Sequence, residues 1–339
     1  MEFISNYGLF LVKLVSVVIA ILVILIVMTG LFARAKGKIK GKLEIQKLND
    51  KYEDYKHIIA CESKTKQELK ALKKLLKREK KQEGKKRESP NNIFVLTFNG
   101  DIKASAVTAL REEITAILTN ANPKDEVLVR LDSGGGLVNA YGLAASQLQR
   151  IKDANMKLVI SIDKIAASGG YMMACVADHI IAAPFAVVGS IGVLSQLPNF
   201  HRYLQQKSID FEQITAGEYK RTLNLFAENT PKGREKMQEE VDDTHALFKS
   251  FIKNHRNQVD IDRVATGEHW FATRAIDLKL VDELKTSDDY LLAASKNYSI
   301  YEVEYKLKKR FGQRMASGAA SIYHKLLSPG AQTAGQDYL

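Results

Sequence analysis

An alternation of short apolar runs with helical stretches constrains the fold of residues 93–193 more than any other feature of the sequence. Strands separated by helices of this length form βαβ units, and such units build a largely parallel sheet. The sequence therefore predicts an α/β fold in which helices flank a mostly parallel sheet. The strand-like runs are Ile93–Phe98, Val127–Leu131, Leu158–Ile162 and His179–Ala182, and the helical runs between them include Ser105–Leu118 and Leu143–Ile151.

Two glycine-rich loops follow predicted strands. Residues 132–136 read DSGGG, and residues 166–170 read AASGG. In parallel sheets, sites form at the carboxyl ends of strands, where both loops fall. Successive glycines let backbone N–H groups approach an oxyanion, and the first loop lacks the Lys and Ser/Thr of a phosphate-binding P-loop. Ser168 at a strand-to-helix turn is typical of an exposed nucleophile, with a helix-capping serine as the alternative.

A serine nucleophile needs a base within hydrogen-bond reach. None of the seven histidines lies in a glycine-rich or otherwise catalytic context. Lys220 follows a strand-like run, Phe211–Ile214, and a turn. A lysine accepts a proton only in its neutral form, which burial or nearby positive charge favours. Lys220 is thus the candidate base, and an ordinary solvated lysine remains the alternative.

The order of five motifs resembles the S49 peptidases, the family of the signal peptide peptidases. This resemblance extends over nearly the whole chain and implies a ClpP/crotonase-type fold with serine endopeptidase activity. The motifs are SGGG at 133–136, KIAASGGYMMA at 164–174, VGSIGV at 188–193, TAGEYKR at 215–221 and ATGEHWFATRAIDLKLVDE at 265–283.

The resemblance also implies a role for each site residue. Ser168 matches the nucleophile and Lys220 the general base. Ser190 matches the hydroxyl that orients the lysine. The backbone N–H groups of Gly135 and Gly169 match the oxyanion hole.

Substrates and partners follow from the same resemblance. It implies peptide or protein substrates near a membrane and a homo-oligomeric ring. No cofactor is expected, and Cys61 and Cys175 without clustered histidines predict neither a disulfide nor a metal site. Gly134 stands where the family usually has proline, so the loop loses the φ that proline would set. Two other functions fit the same fold: a catalytically silent membrane scaffold and a crotonase-like acyl-CoA enzyme.

The run Leu9–Phe32 is almost continuously apolar, with Lys13 as its single charge. As a helix it would reach about 36 Å, enough to cross a bilayer. A cleaved signal peptide is the alternative, but the run is longer than a typical h-region and lacks a basic start. The sequence predicts a single-pass anchor in the bacterial inner membrane. Basic residues after the run favour a cytoplasmic catalytic domain, whereas the family usually places it in the periplasm, so its side stays open.

The formal net charge is +11, and the whole excess falls within residues 33–90. A basic segment next to an apolar run is attracted to anionic lipid, whereas nucleic-acid readers carry charge on a folded face. We therefore expect a lipid bilayer as a partner and no nucleic acid. The predicted organisation is an N-terminal segment 1–8, an anchor 9–32, a basic connector 33–90, a peptidase domain 91–315 and a flexible tail 316–339.

Overall fold

The computed structural model describes residues 13–19, 21, 41–65, 68, 91–120 and 122–307. A compact unit spans Leu43–Tyr305. Within the described ranges, no helix is long and apolar enough to cross a membrane. Most of the predicted anchor, most of the connector beyond residue 65, and the predicted tail lie outside the described residues.

The strands of the described ranges, β1 to β10, form one sheet. All four strands predicted between residues 93 and 182 are present, with bounds within two residues of those predicted. Residues 211–214 form no strand, although the sequence suggested one. The strands are Lys42–Lys47, Asn92–Gly100, Glu126–Ser133, Lys157–Ile162, Ile165–Ala167, His179–Ala182, Val187–Gly189, His269–Phe271, Glu283–Leu284 and Ser299–Lys306.

Helices α1 to α9 of the same ranges connect and cover these strands. The longest, α6, begins with a proline at its first position, and the Thr230 hydroxyl caps it by accepting from the Gly233 N–H at 3.1 Å. The helices are Leu48–Ser63, Val107–Leu118, Val138–Asp153, Gly169–Ala174, His201–Gln206, Pro231–His255, Ile261–Val264, Ala272–Ala275 and Ser287–Ala294.

The sheet is mixed. Its main path runs β1-β10-β2-β3-β4-β6-β9, and the pairs from β10 to β9 are parallel. Strand β5 pairs in parallel with β3 and β7, and β7 pairs antiparallel with β8. The predicted α/β class with flanking helices is confirmed, and the β7–β8 pair makes the sheet mixed instead of wholly parallel.

The sheet forks at the carboxyl end of β3. Residues 126–130 of β3 pair with β4, whereas Ser133 pairs with Ala166 of β5. The central strands β3 and β4 are buried on both faces, as expected when helices cover a parallel sheet. The fork lies at the carboxyl ends of the parallel strands, where sites in such sheets form.

Residues 42–63 belong to the sheet and its core. Strand β1 pairs with β10, and Leu48 of α1 is buried in the cluster that also contains Leu291 and Ile300. Asn49 donates to the carbonyls of Ser295 and Tyr298 and accepts from the Ile300 N–H at 2.7 Å. Partners some 250 residues away in the sequence therefore attach this charged segment to the sheet.

Candidate active site

Ser168 occupies the turn between β5 and α4. Its backbone has φ 52° and ψ −120°, a conformation that a non-glycine residue rarely adopts. The Ser168 N–H donates to the Gly189 carbonyl at 2.8 Å, and its own carbonyl accepts from the Met172 N–H at 3.0 Å. Neighbouring structure therefore holds Ser168 in a strained turn, a pattern that recurs at active sites.

Ser190 lies beside Ser168 because their strands are paired. Ala167 at the end of β5 is in register with Gly189 at the end of β7. Each serine is the next residue along the chain, and Ser190 has a positive φ of 51°. The Ser190 N–H donates to the Glu268 carbonyl at 2.6 Å. Two strained serines therefore follow adjacent parallel strands.

The loop after β3 packs directly against the Ser168 turn. Gly135 has φ +91°, which favours glycine. A Cβ atom added to Gly135 would lie 2.7 Å from the Gly169 N atom and 2.8 Å from the Ala167 carbonyl oxygen and the Ser168 Cβ. These distances are shorter than any van der Waals contact, so only glycine fits here.

A cavity of about 560 Å³ opens in front of this turn. Four of the five predicted site residues line it: Ser168, Ser190, Gly135 and Gly169. No histidine is among the described residues that line it. Apolar side chains form much of the remaining wall, namely Ile102, Leu137, Val138, Met172, Val193, Leu194 and Phe248.

Lys220 is not brought to the other four residues. It is exposed, lies in an irregular stretch after α5, and is not among the described residues that line the cavity. Its N–H donates to the Gly217 carbonyl at 3.2 Å. The neighbouring Glu218 pairs with Lys232, and this hydrogen bond lowers the pKa of the Glu218 carboxyl. No described hydrogen bond or ion pair links the Lys220 amine to Ser168 or Ser190.

Two buried hydroxyls next to the site were not singled out by sequence analysis. Ser133 lies within the first glycine-rich motif, and Tyr141 has the helical spacing of an ordinary core residue. Their hydrogen bond at 2.5 Å joins β3 to α3 beneath the cavity. Motif order alone did not indicate this contact.

The described part of the chain contains no group of three or more His, Cys, Asp or Glu residues arranged to hold a metal ion. Cys61 is exposed and Cys175 is buried, and both are free cysteines. Burial raises the pKa of the Cys175 thiol, which keeps that thiol protonated.

Known proteins similar to this chain show the family to which it belongs. The family model Peptidase family S49 N-terminal matches residues 2–148, and Peptidase family S49 matches residues 150–300. A protein of Haemophilus influenzae named Probable protease SohB is 44% identical over 340 residues, and 96% of each chain is covered. A Probable protease SohB of Buchnera aphidicola is 46% identical over 326 residues, again with 96% of each chain covered.

The protein is therefore a serine-type peptidase with an α/β fold. The chain belongs to peptidase family S49, and within it is similar to the relatives named SohB. Among solved structures, a mutant of the 1510-N membrane-bound stomatin-specific protease in complex with a substrate peptide is 14% identical. The alignment covers 68% of this chain and 99% of that protein's chain, with a TM-score of 0.41.

Proposed function

We propose that this peptidase is a membrane-anchored serine endopeptidase that uses Ser168 as nucleophile and Lys220 as general base. The observation that carries the proposal is the strained Ser168 turn, which opens on a cavity while the Gly135 loop packs against it. Such a turn exposes a nucleophile at the end of a strand and places backbone donors beside it.

The proposed reaction has two steps. Neutral Lys220 takes the Ser168 hydroxyl proton while the oxygen attacks the carbonyl carbon of the scissile peptide. The N–H groups of Gly135 and Gly169 stabilise the negative oxygen of the tetrahedral intermediate. The C–N bond then breaks, and the lysine ammonium gives its proton to the leaving amine. In the second step, Lys220 takes a proton from a water molecule whose oxygen attacks the ester. The C–O bond to Ser168 then breaks, the lysine ammonium returns the proton to the Ser168 oxygen, and the carboxylic acid product leaves.

Lys220 must be desolvated before it can act in this way. The surrounding segment, residues 194–226, exposes many large apolar side chains, with Ile214 98% exposed. Exposed apolar surfaces of this kind mark protein contacts. We infer that copies of the chain assemble through this segment, as in a homo-oligomeric ring, and that assembly buries Lys220. An active monomer in detergent, identified by analytical ultracentrifugation, would exclude this inference.

The cavity walls bear on the substrate. Leu137, Met172 and Phe248 give the space beside Ser168 an apolar lining. An apolar side chain next to the scissile bond would gain about 25 cal/mol for each Å² of surface that it buries there. We therefore propose peptide or protein substrates with apolar residues at the cleavage position. Equal turnover of matched peptides with leucine or aspartate at that position would contradict this preference.

The proposed anchor is Leu9–Phe32, which we place in the bacterial inner membrane as a single span. Cys61 is exposed and Cys175 is buried, so Cys61 is the thiol that a reagent reaches in the folded chain. An impermeant thiol reagent applied to intact cells labels Cys61 only if the catalytic domain faces outward. Release of the protein from membranes by alkaline carbonate would contradict the anchor.

The experiment that tests the proposed chemistry is active-site labelling with a fluorophosphonate, combined with cleavage of a fluorogenic peptide. The wild-type chain is expected to carry the label on Ser168, and Ser168→Ala to lose both label and turnover. Ser146→Ala is the matched control, because Ser146 is an exposed serine of α3 whose hydroxyl donates to the Gly142 carbonyl, away from the cavity lining. Wild-type turnover by Ser168→Ala would refute the nucleophile assignment.

The lysine is tested in the same assay. Lys220→Arg keeps a positive charge but cannot give up its proton, so it is expected to be as inactive as Lys220→Ala. Lys207→Arg is the matched control, because Lys207 is an exposed lysine that follows α5. Full turnover by Lys220→Arg would show that another group is the base.

A further inference from the structure

A buried pair of hydroxyls, Ser133 and Tyr141, lies beneath both proposed oxyanion donors. Ser133 is 2% exposed and Tyr141 is fully buried. Burial raises the pKa of the Tyr141 phenol, so the hydroxyl stays protonated. Neither side chain is among the described residues that line the cavity. The pair therefore acts on the reaction only through the groups that it holds.

The hydrogen bonds of the pair have one consistent direction. The Tyr141 hydroxyl donates its single proton to the Asp101 carbonyl at 2.8 Å. Ser133 must therefore donate to the Tyr141 oxygen, at 2.5 Å. The Ser133 oxygen is then the acceptor for the Gly135 N–H at 3.1 Å. A chain of three bonds thus runs from the Gly135 amide to a backbone carbonyl beyond the helix.

Tyr141 also contacts the second donor through its ring. A Cβ atom added to Gly169 would lie 2.5 Å from the Tyr141 Cγ atom. A Cβ atom added to Gly100 would lie 2.3 Å from the Ser133 Oγ atom and 2.5 Å from the Tyr141 hydroxyl oxygen. Missing side chains at these two positions create the space for the pair. One tyrosine therefore packs under Gly169 and, through Ser133, holds Gly135.

We propose that Ser133 and Tyr141 are positioning residues that set the direction of the Gly135 N–H and its separation from the Gly169 N–H. This inference rests on the proposed function of those two amides. The peptide group between Gly134 and Gly135 can rotate easily, because glycine has few conformational restrictions. The Ser133 oxygen gives the Gly135 N–H an acceptor while no substrate is bound. The charged oxygen of the tetrahedral intermediate then shares that donor with the Ser133 oxygen, so the pair still orients the Gly135 N–H in the transition state.

The test is the variant Tyr141→Phe, which keeps the ring under Gly169 and removes the hydroxyl. Its kcat is expected to fall about tenfold to a hundredfold, with KM within about twofold, because the oxyanion exists only beyond the ground state. A peptide aldehyde, which places a hemiacetal oxygen in the same position, is expected to bind more weakly by the same factor as kcat/KM falls. A purely structural role would change neither the kcat of the folded enzyme nor its affinity for the aldehyde.

Tyr171→Phe is the matched control. Tyr171 is a fully buried tyrosine whose hydroxyl donates to the Leu280 carbonyl at 3.0 Å, so its loss costs a similar buried hydrogen bond away from Gly135. Tyr171→Phe is expected to lower the melting temperature about as much as Tyr141→Phe while leaving kcat within about twofold. Equal kcat values for the two variants would overturn the proposal.

A second variant keeps the test decisive if Tyr141→Phe does not fold. Ser133→Ala leaves the bond from Tyr141 to the Asp101 carbonyl in place and is expected to lose kcat by a similar factor. The double variant is expected to lose little more than either single one, since both act through one chain of bonds. Normal kcat in Ser133→Ala would overturn the inference. Failure of the proposed function would instead appear as turnover by Ser168→Ala.

Discussion

Substituting two adjacent glycines tests how closely the loop after β3 approaches the Ser168 turn. Gly135 has φ +91°, and a Cβ atom there would lie 2.7 Å from the Gly169 N atom. The φ of Gly134 lies outside the left-handed region, and the nearest atom to its Cβ position is Ile165 Cδ1, at 3.9 Å. Gly135→Ala is therefore expected to disturb the site, whereas Gly134→Ala is expected to be tolerated.

The magnitudes follow from the geometry. A left-handed alanine costs about 1–2 kcal/mol, and forcing a methyl group into a closed space costs about 1–3 kcal/mol. Gly135→Ala is thus expected to lower the free energy of unfolding by about 2–5 kcal/mol. Relief of the contact moves the Gly135 N–H, and loss of one oxyanion donor typically reduces kcat about 10²–10³-fold. Gly134→Ala is expected to change stability by less than about 1 kcal/mol.

Urea unfolding and peptide turnover measure the two effects separately. The kinetic comparison is made at a temperature where both variants are folded, as judged by circular dichroism. The decisive quantity is the ratio of kcat between Gly134→Ala and Gly135→Ala. A ratio within about twofold, with both chains folded, would refute the close approach of the loop to Ser168.

Two further outcomes are expected. Burial, together with nearby Glu304, raises the pKa of Glu113 from 4.5 to about 7 despite a hydrogen bond from the Tyr305 N–H. The contribution of protonated Glu113 to the free energy of unfolding is therefore complete below pH 4.5 and lost as the pH rises through about 7. Glu113→Gln is expected to stabilise the chain at pH 8 by up to about 3 kcal/mol and hardly at pH 4, as measured by urea unfolding. An equal gain at both pH values would contradict this. If Ser190 orients the Lys220 amine, as the family resemblance implies, Ser190→Ala is expected to reduce kcat about tenfold to a thousandfold, because the base itself remains. An unchanged kcat would exclude that role.

Local patterns were sufficient to predict the central strands and the turn at Ser168. Apolar runs such as Leu158–Ile162 are buried on both faces, and the glycines that follow strands mark where the chain turns. These patterns depend only on residues that are close in the sequence, so they can be recognised before the fold is known. The positions of Ser168 and Gly135 at one edge of the sheet followed from parallel strands having their carboxyl ends together.

The remaining features depend on distant partners. Strand β1 is rich in charge and becomes part of the sheet because β10 lies beside it. Tyr141 reads as a core residue from its helical spacing, and its hydroxyl gains a role only because β3 ends next to it. The TAGEYKR motif indicates Lys220 as the candidate general base. Neither periodicity nor spacing indicates whether the side chain of a lysine is buried.

The contact between Trp270 and Gly189 gives the protein a built-in optical signal. The chain contains a single tryptophan, and its ring atom Cε3 lies 2.7 Å from where a Cβ atom of Gly189 would be. Gly189 precedes Ser190, and its carbonyl accepts the Ser168 N–H. Indole emission responds to water and to nearby dipoles, so selective excitation reports on this one region of the molecule. If Ser168 is the nucleophile, as proposed, its acylation is expected to change this emission, so intrinsic fluorescence in rapid mixing experiments would follow that step without an attached dye.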